Sequence, residues 1–517
     1  MRLAKSMWLT VTLCGMLLCA PAAAQAQQRM VGMYVHQHWP YNRPYCARTW
    51  TLDDWRGYSD GLKKLGYNTI LIWPMLEIMP EPLTSTDRDT LRKISSVIDM
   101  LHKERGMKAY IVLCPNMRAE NAEARKTTFY KRHYYYVEDL IDPADDTAVD
   151  RLIAWRRTLL EPLKNVDGVA IIDSDPGGYP GSTNQQFVDL LARHRRMFDT
   201  LRPGIELIYW MHAGWRGWSR LFEKAAFELG TPEEHDDTVQ RLIRLNPEPW
   251  GMANGLEIAA RYGIQNRVIS FNYGRIELEP SFPMTNWSGE NAYAGGALPG
   301  PRGVMGNAQT HCAQLPNTFA FARGALGKPI QPGDYQRFAD DLIRGWGETI
   351  VRAWQALGSD DSVAMRRSLR EIAERDRSHL VTGPLKGLLF GSAERFLSDL
   401  EKMLQMKMTG EELARAHERG LPLAKPFAAY VQAYTDWQKT HGFMGAMNIG
   451  RPALALRMLK HPAIEEVFAK ARYDLEPRPG REKTNFERIR HGFAHMETFS
   501  GRLGDAMRRA LAEMQAH

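Results

Sequence analysis

Seven short apolar runs, each bounded by turn residues, recur between residues 30 and 309, and several are separated by amphipathic helical segments. They read MVGMYVH (30–36), TILIWP (69–74), AYIVLCP (109–115), GVAIID (168–173), IELIYW (205–210), RVISFNY (267–273) and GVMGNAQ (303–309). Runs of this length suit strands buried on both faces, the pattern of a parallel sheet covered by helices. Polar starts and glycine stops mark the helices: Thr51 precedes LDDWRGYSDGLKKLG, and further segments span 84–106, 146–163, 182–201 and 232–245. Alternation at this spacing means parallel strands joined by crossover helices. PWGMA (249–253) supplies an eighth strand, and eight favour closure into a (β/α)8 TIM barrel over an open doubly wound sheet. The stretch 277–302 is rich in Pro, Gly and Asn, so a long loop is expected after RVISFNY.

Beyond residue 332 the texture changes. DYQRFADDLIRGWGETIVRAWQALG carries Phe338, Leu342, Trp346, Ile350 and Trp354 at helical steps, which predicts one long amphipathic helix. Further helices are expected from Ser362, Ser392, Lys425 and Arg481 onward. The expected organisation is a signal peptide over 1–26, the catalytic barrel over 27–331 and an all-helical C-terminal domain over 332–517.

The signal peptide rests on three parts: Arg2 and Lys5, the apolar stretch 7–20, and the small-x-small site Ala24-Gln25-Ala26. The stretch is short for a bilayer and broken by Thr10, Thr12 and Gly15, so export to a periplasm or the medium is expected, without integral membrane association. Cys14 and Cys19 leave with that segment. Of the remaining Cys46, Cys114 and Cys312, the first and last follow neighbouring strands of a closed barrel, and a disulfide between them is expected. None has metal-ligand spacing. The formal charge of +7 falls to about +5 on cleavage, a mild excess that does not argue for nucleic acid.

In a barrel of this kind the chemistry lies at the C-terminal ends of the strands. There the sequence puts His36, Gln37 and His38; Trp73, Glu77 and Glu81; Asn116 and Arg118; Asp173 and Asp175; Tyr209, Trp210, His212 and Trp215; Asn272, Tyr273, Glu277 and Glu279; Asn307, Gln309 and His311. Aromatic faces, amides and carboxylates together suit a carbohydrate, whose apolar faces stack while its hydroxyls need donors and acceptors. Asp173 and Asp175 are two apart, so at an extended strand end they point to one side, and Pro176-Gly177-Gly178 gives the bend that admits a ligand. Neighbouring carboxylates push their pKa values apart, one ionised and one protonated, which is the basis of acid and base roles.

These residues, with WPMLEIMPE after the second strand and GVMGNAQTH at the eighth, resemble the barrel glycoside hydrolases, particularly the β-N-acetylhexosaminidase and O-GlcNAcase-type families. The resemblance covers roughly 30–323 and implies an acidic pair after the fourth strand. One member protonates the glycosidic oxygen and the other orients the substrate's 2-acetamido group. In those families the pair is adjacent; here Ser174 intervenes. A split pair, with Glu277 or Glu279 opposite one aspartate, is the second scheme.

The reading is an exported glycoside hydrolase acting on an N-acetylhexosamine or another modified sugar. Asp175 is the acid and Asp173 the orienting carboxylate. His36, His38, Trp73, Glu77, Asn116, Tyr209, Trp210, Asn272, Tyr273, Glu277, Asn307 and Gln309 bind the substrate, and neither cofactor nor metal is required. The rivals are a carbohydrate-binding barrel without catalysis, and a metal-dependent sugar hydrolase or isomerase built on His36, His38 and the aspartates.

Overall fold

A computed structural model of the chain describes residues 29–37, 42–132, 138–172, 183–211, 232–245, 247, 250–252, 256–272, 302–308, 315–442, 456–457, 459–475 and 485–516. The apolar runs become strands β1 (Met30–Val35), β2 (Thr69–Ile72), β3 (Lys108–Leu113), β6 (Gly168–Ile172), β7 (Glu206–Met211), β9 (Val268–Asn272) and β10 (Gly303–Ala308). The short β8 (Trp250–Met252) is the eighth. All pair in parallel in sequence order, and β10 returns to β1 through the register Met30↔Gly303 to Val35↔Ala308. The barrel is closed. A two-stranded antiparallel sheet, β4 (Met117–Ala119) with β5 (Glu138–Leu140), stands outside it and was not foreseen in the sequence.

The helices begin where capping chemistry predicts. Thr51 with Asp54 forms a capping box on α1 (Leu52–Leu65), and Thr84 with Asp87 forms another on α2 (Ser85–Met100). The latter helix widens into a π-helical turn, Leu101–Arg105, before Gly106. The short α3 (Asn121–Ala124) precedes α4 (Asp146–Leu160), which Asp145 caps. The cap of α5 (Asn184–Leu201) is Thr183, paired with Gln186, one residue later than the expected start at 182.

The single helix expected after residue 332 is instead two, Asp334–Leu342 and Gly347–Leu357. Its apolar period runs through the break, but Gly345 takes a left-handed conformation (φ +74°) that turns the chain. The Asp340 carboxylate accepts from the Gly347 amide at 2.8 Å, and Ile343 bridges to Thr382. The helices Ser362–Glu374, Ala393–Glu418, Ala424–His441, Pro462–Leu475 and Asn485–Ala516 complete a helical C-terminal region. It packs on the first βα unit of the barrel. A Cβ on Gly387 would sit 2.1 Å from the Gly57 carbonyl oxygen, so that contact requires glycine. Trp50 meets Phe390 with centroids 4.4 Å apart.

Cys46 is a buried free thiol; Cys312, the partner expected for it, lies outside the described residues, as does the expected signal peptide 1–26. Among the described residues no helix is long and apolar enough to cross a membrane.

Candidate active site at the C-terminal end of the barrel

Successive side chains of a strand point to opposite faces, which sorts the rings of the barrel into an inner and an outer set. Tyr34 of β1 meets Trp210 of β7 edge-on across the interior, with centroids 4.9 Å apart, and Trp210 stacks on Phe271 of β9 at 3.9 Å. His36, two residues past Tyr34, lies 4.0 Å from that ring and 5.6 Å from Trp73 at the end of β2. All five are buried. Together they make an aromatic floor beneath the C-terminal mouth.

Behind this floor a buried Glu–Arg pair holds the exit of β3. Glu77, on the short turn after β2, accepts from the Cys114 amide at 2.7 Å and from the Trp73 indole N–H at 3.3 Å. Burial raises its carboxyl above the usual range, opposed chiefly by Arg156. The Arg156 guanidinium, from α4, donates to the carbonyls of Cys114, Pro115 (2.7 Å) and Met117 (2.9 Å). It also reaches His194 Nε2 at 2.6 Å, while His194 Nδ1 lies 2.8 Å from the Leu190 carbonyl. That pairing assigns the proton to Nδ1. Burial first, then Arg156, push the His194 pKa down to about 3, so its ring is neutral.

Two further arginines tie three loops together. Arg48 donates to the carbonyl of Gln37 at 2.7 Å, fixing the backbone just after His36, and to those of Phe129 (3.1 Å) and Arg132 (2.6 Å). Arg132 pairs bidentately with Asp87, both fully buried, and also donates to the carbonyls of Ile78 (3.1 Å) and Ala124 (2.5 Å). The capping-box aspartate of α2 is thereby also the counter-ion of the rim.

The sequence-predicted site residues divide accordingly. His36, Trp73 and Trp210 come together in the floor. Tyr209 does not: it faces outward, against Phe187 of α5 (6.0 Å) and Trp250 (5.3 Å), so a place in the pocket is ruled out by strand alternation. Glu77 spends its oxygens on the protein rather than on a substrate. Asn116 is buried and its Nδ2 donates to the Ile141 carbonyl at 2.8 Å, joining the β3 exit to the segment after β5. Asn272 ends β9, and Asn307 in β10 pairs with Tyr34. Asp173, Asp175, His38, Tyr273, Glu277 and Gln309 lie outside the described residues, as do Glu279, His212, Trp215 and His311. Among the described residues no three His, Cys, Asp or Glu side chains group as metal ligands would. Sequence reasoning missed Arg48, Arg132, Arg156, His194 and Asp87; only the Thr84–Asp87 capping spacing carried a local signal.

No family model matches the sequence, and no curated protein does. Among solved structures, a family 89 glycoside hydrolase from Clostridium perfringens is 8% identical, with a TM-score of 0.47 over 94% of this chain and 64% of its own. A GH138 enzyme targeting pectin rhamnogalacturonan II is 10% identical, with a TM-score of 0.43 over 88% of this chain and 69% of its own. A GH5_18 enzyme from Streptomyces cattleya, in complex with Manb1-4GlcNAc, is 16% identical, with a TM-score of 0.29 over 45% of this chain. The present chain spans 54% of the length of that structure. Likenesses this distant transfer no residue role, and the barrel rests on its own strand pairing.

Proposed function

We propose that the chain is an exported glycoside hydrolase whose acid/base pair is Asp173 and Asp175, acting on an N-acetylhexosamine or another modified sugar. The observation that carries this reading is the buried aromatic floor at the C-terminal end of a closed barrel, where Ile172, the residue before Asp173, pairs in register with Trp210. Barrel enzymes perform their chemistry at that end. Aromatic faces suit the apolar faces of a sugar ring, and two carboxyls two residues apart supply one ionised and one protonated group. Asp175 is the general acid and Asp173 orients or stabilises. Fold alone does not establish activity, so the aspartates bear the test.

The experiment is hydrolysis of a panel of chromogenic glycosides, N-acetylglucosaminides and uronides included, by the purified protein beside its Asp175→Asn variant. Turnover of one member, reduced on the order of a hundredfold or more in the variant, is expected for a general acid. Turnover that survives the substitution removes Asp175 from that role. Glycan binding without turnover by both forms gives the protein to the binding-module reading instead.

A further inference from the structure

The helical region meets the barrel's first loop at Asn42 and Tyr45 as well as at Trp50. The Asn42 amide donates to the His441 carbonyl at 2.8 Å, and Asn42 Nδ2 donates to the Lys439 carbonyl at 3.1 Å. Above them the His441 imidazole lies between two aromatic rings: Trp437 at 3.7 Å, nearly parallel, and Tyr45 of the loop at 4.1 Å. All three are buried, and among the described residues the His441 ring nitrogens have one hydrogen-bonding neighbour that bears on their charge, the Trp437 backbone. The same loop contains Arg48, whose guanidinium holds the Gln37 carbonyl next to His36 in the aromatic floor. A continuous chain of contacts therefore runs from the last turn of Ala424–His441 to the C-terminal mouth.

We propose that His441 is a positioning residue: as a neutral ring between Trp437 and Tyr45, it docks the first βα loop onto the helical region and so fixes the backbone beside His36. The docking favours the uncharged ring, because burial in the sandwich and the nearby cations oppose an added proton more than the Trp437 backbone carbonyl favours it. Arg395 and Lys402 face it from the helix Ala393–Glu418, each already paired with Asp399. Burial is the first cause of a His441 pKa pushed down to about 3; the Trp437 backbone opposes it and those two cations add to it. Once undocked, the ring regains an ordinary value near 6.5, so each pH unit below that favours the undocked form by about tenfold. The helical region thus sets the first loop, and acid loosens it. This inference stands independently of the glycosidase chemistry.

The test is hydrogen exchange of the amides of residues 42–50 in the full chain at pH 7 and pH 5, corrected for intrinsic rates, with the β3 amides as reference. In the native protein, protection of the loop is expected to fall roughly 25-fold between the two pH values while β3 stays protected. His441→Phe, which keeps an aromatic ring but takes no proton, is expected to hold loop protection within about threefold over the same range. His441→Ala is expected to lose loop protection already at pH 7 with β3 protection retained. An equal pH response in native and His441→Phe proteins overturns the titrating role. Native-like loop protection in His441→Ala overturns the docking itself.

Discussion

The two ends of the barrel use polar side chains in opposite ways. At the N-terminal end they satisfy one another: Tyr110 donates to Glu206 at 2.8 Å, and Lys108 lies 3.5 Å from the other Glu206 oxygen. His102 lies 2.8 Å from Asp167, which also accepts from the Ala109 amide at 2.8 Å. Burial, and then the Glu206 carboxylate, keep the Tyr110 phenol protonated well above its usual range. At the C-terminal end, Glu77, Arg48, Arg132 and Arg156 are spent mainly on loop backbone. One end seals the barrel with side-chain pairs. The other fixes loops and leaves aromatic rings toward the mouth, which is the division of labour expected between a stabilising face and a working one.

Breaking the comparison is easiest at the rim. Asp87→Ala strands the buried Arg132 guanidinium and is expected to cost about 3–5 kcal/mol, read as a lower urea midpoint. Acid comes next. The folded pKa of His194 lies below its unfolded value, so the stability it contributes is present above about pH 6.5 and lost as pH falls toward about 3. His441 behaves alike, and each contributes a loss of about 1.4 kcal/mol per pH unit within that window. Thermal melts from pH 7 to pH 5 should therefore descend, and less steeply for His194→Gln, which retains an acceptor for Arg156 but does not take up a proton.

Smaller substitutions sharpen the contrast further. Trp73→Phe removes the indole donor from a buried Glu77 oxygen and is expected to cost about 1–3 kcal/mol. It should also depress turnover, since the ring is part of the floor. Glu206→Gln at the opposite end keeps an acceptor for Tyr110 and is expected to cost about 1 kcal/mol, with kcat/KM unchanged. A large loss of turnover in Glu206→Gln with little change in Tm would reverse the assignment of the two ends.

The strands and the caps of α1 and α2 were legible because their signals are local: apolar runs between turn residues, and Thr–x–x–Asp spacings. The facing of Tyr209 was not. A strand buried on both faces is apolar throughout, so no polar alternation tells which of Tyr209 and Trp210 looks inward. The helix break at Gly345 was hidden for the converse reason, since the apolar period persists across it and the turn is set by backbone conformation. The rim arginines bridge residues far apart in the chain, such as Arg48 with Phe129 and Arg156 with His194. Their sequence neighbourhoods look like ordinary helix and loop surface. The Asp-Ser-Asp motif stood out at once because carboxylates ending a buried strand are expensive unless solvated, paired or used.

The most direct measurement is kcat/KM on the glycoside that the protein turns over best, for Asp175→Asn and Glu206→Gln side by side. The account predicts a loss on the order of a hundredfold or more for Asp175→Asn and native turnover for Glu206→Gln. Equal turnover by the two variants would contradict it.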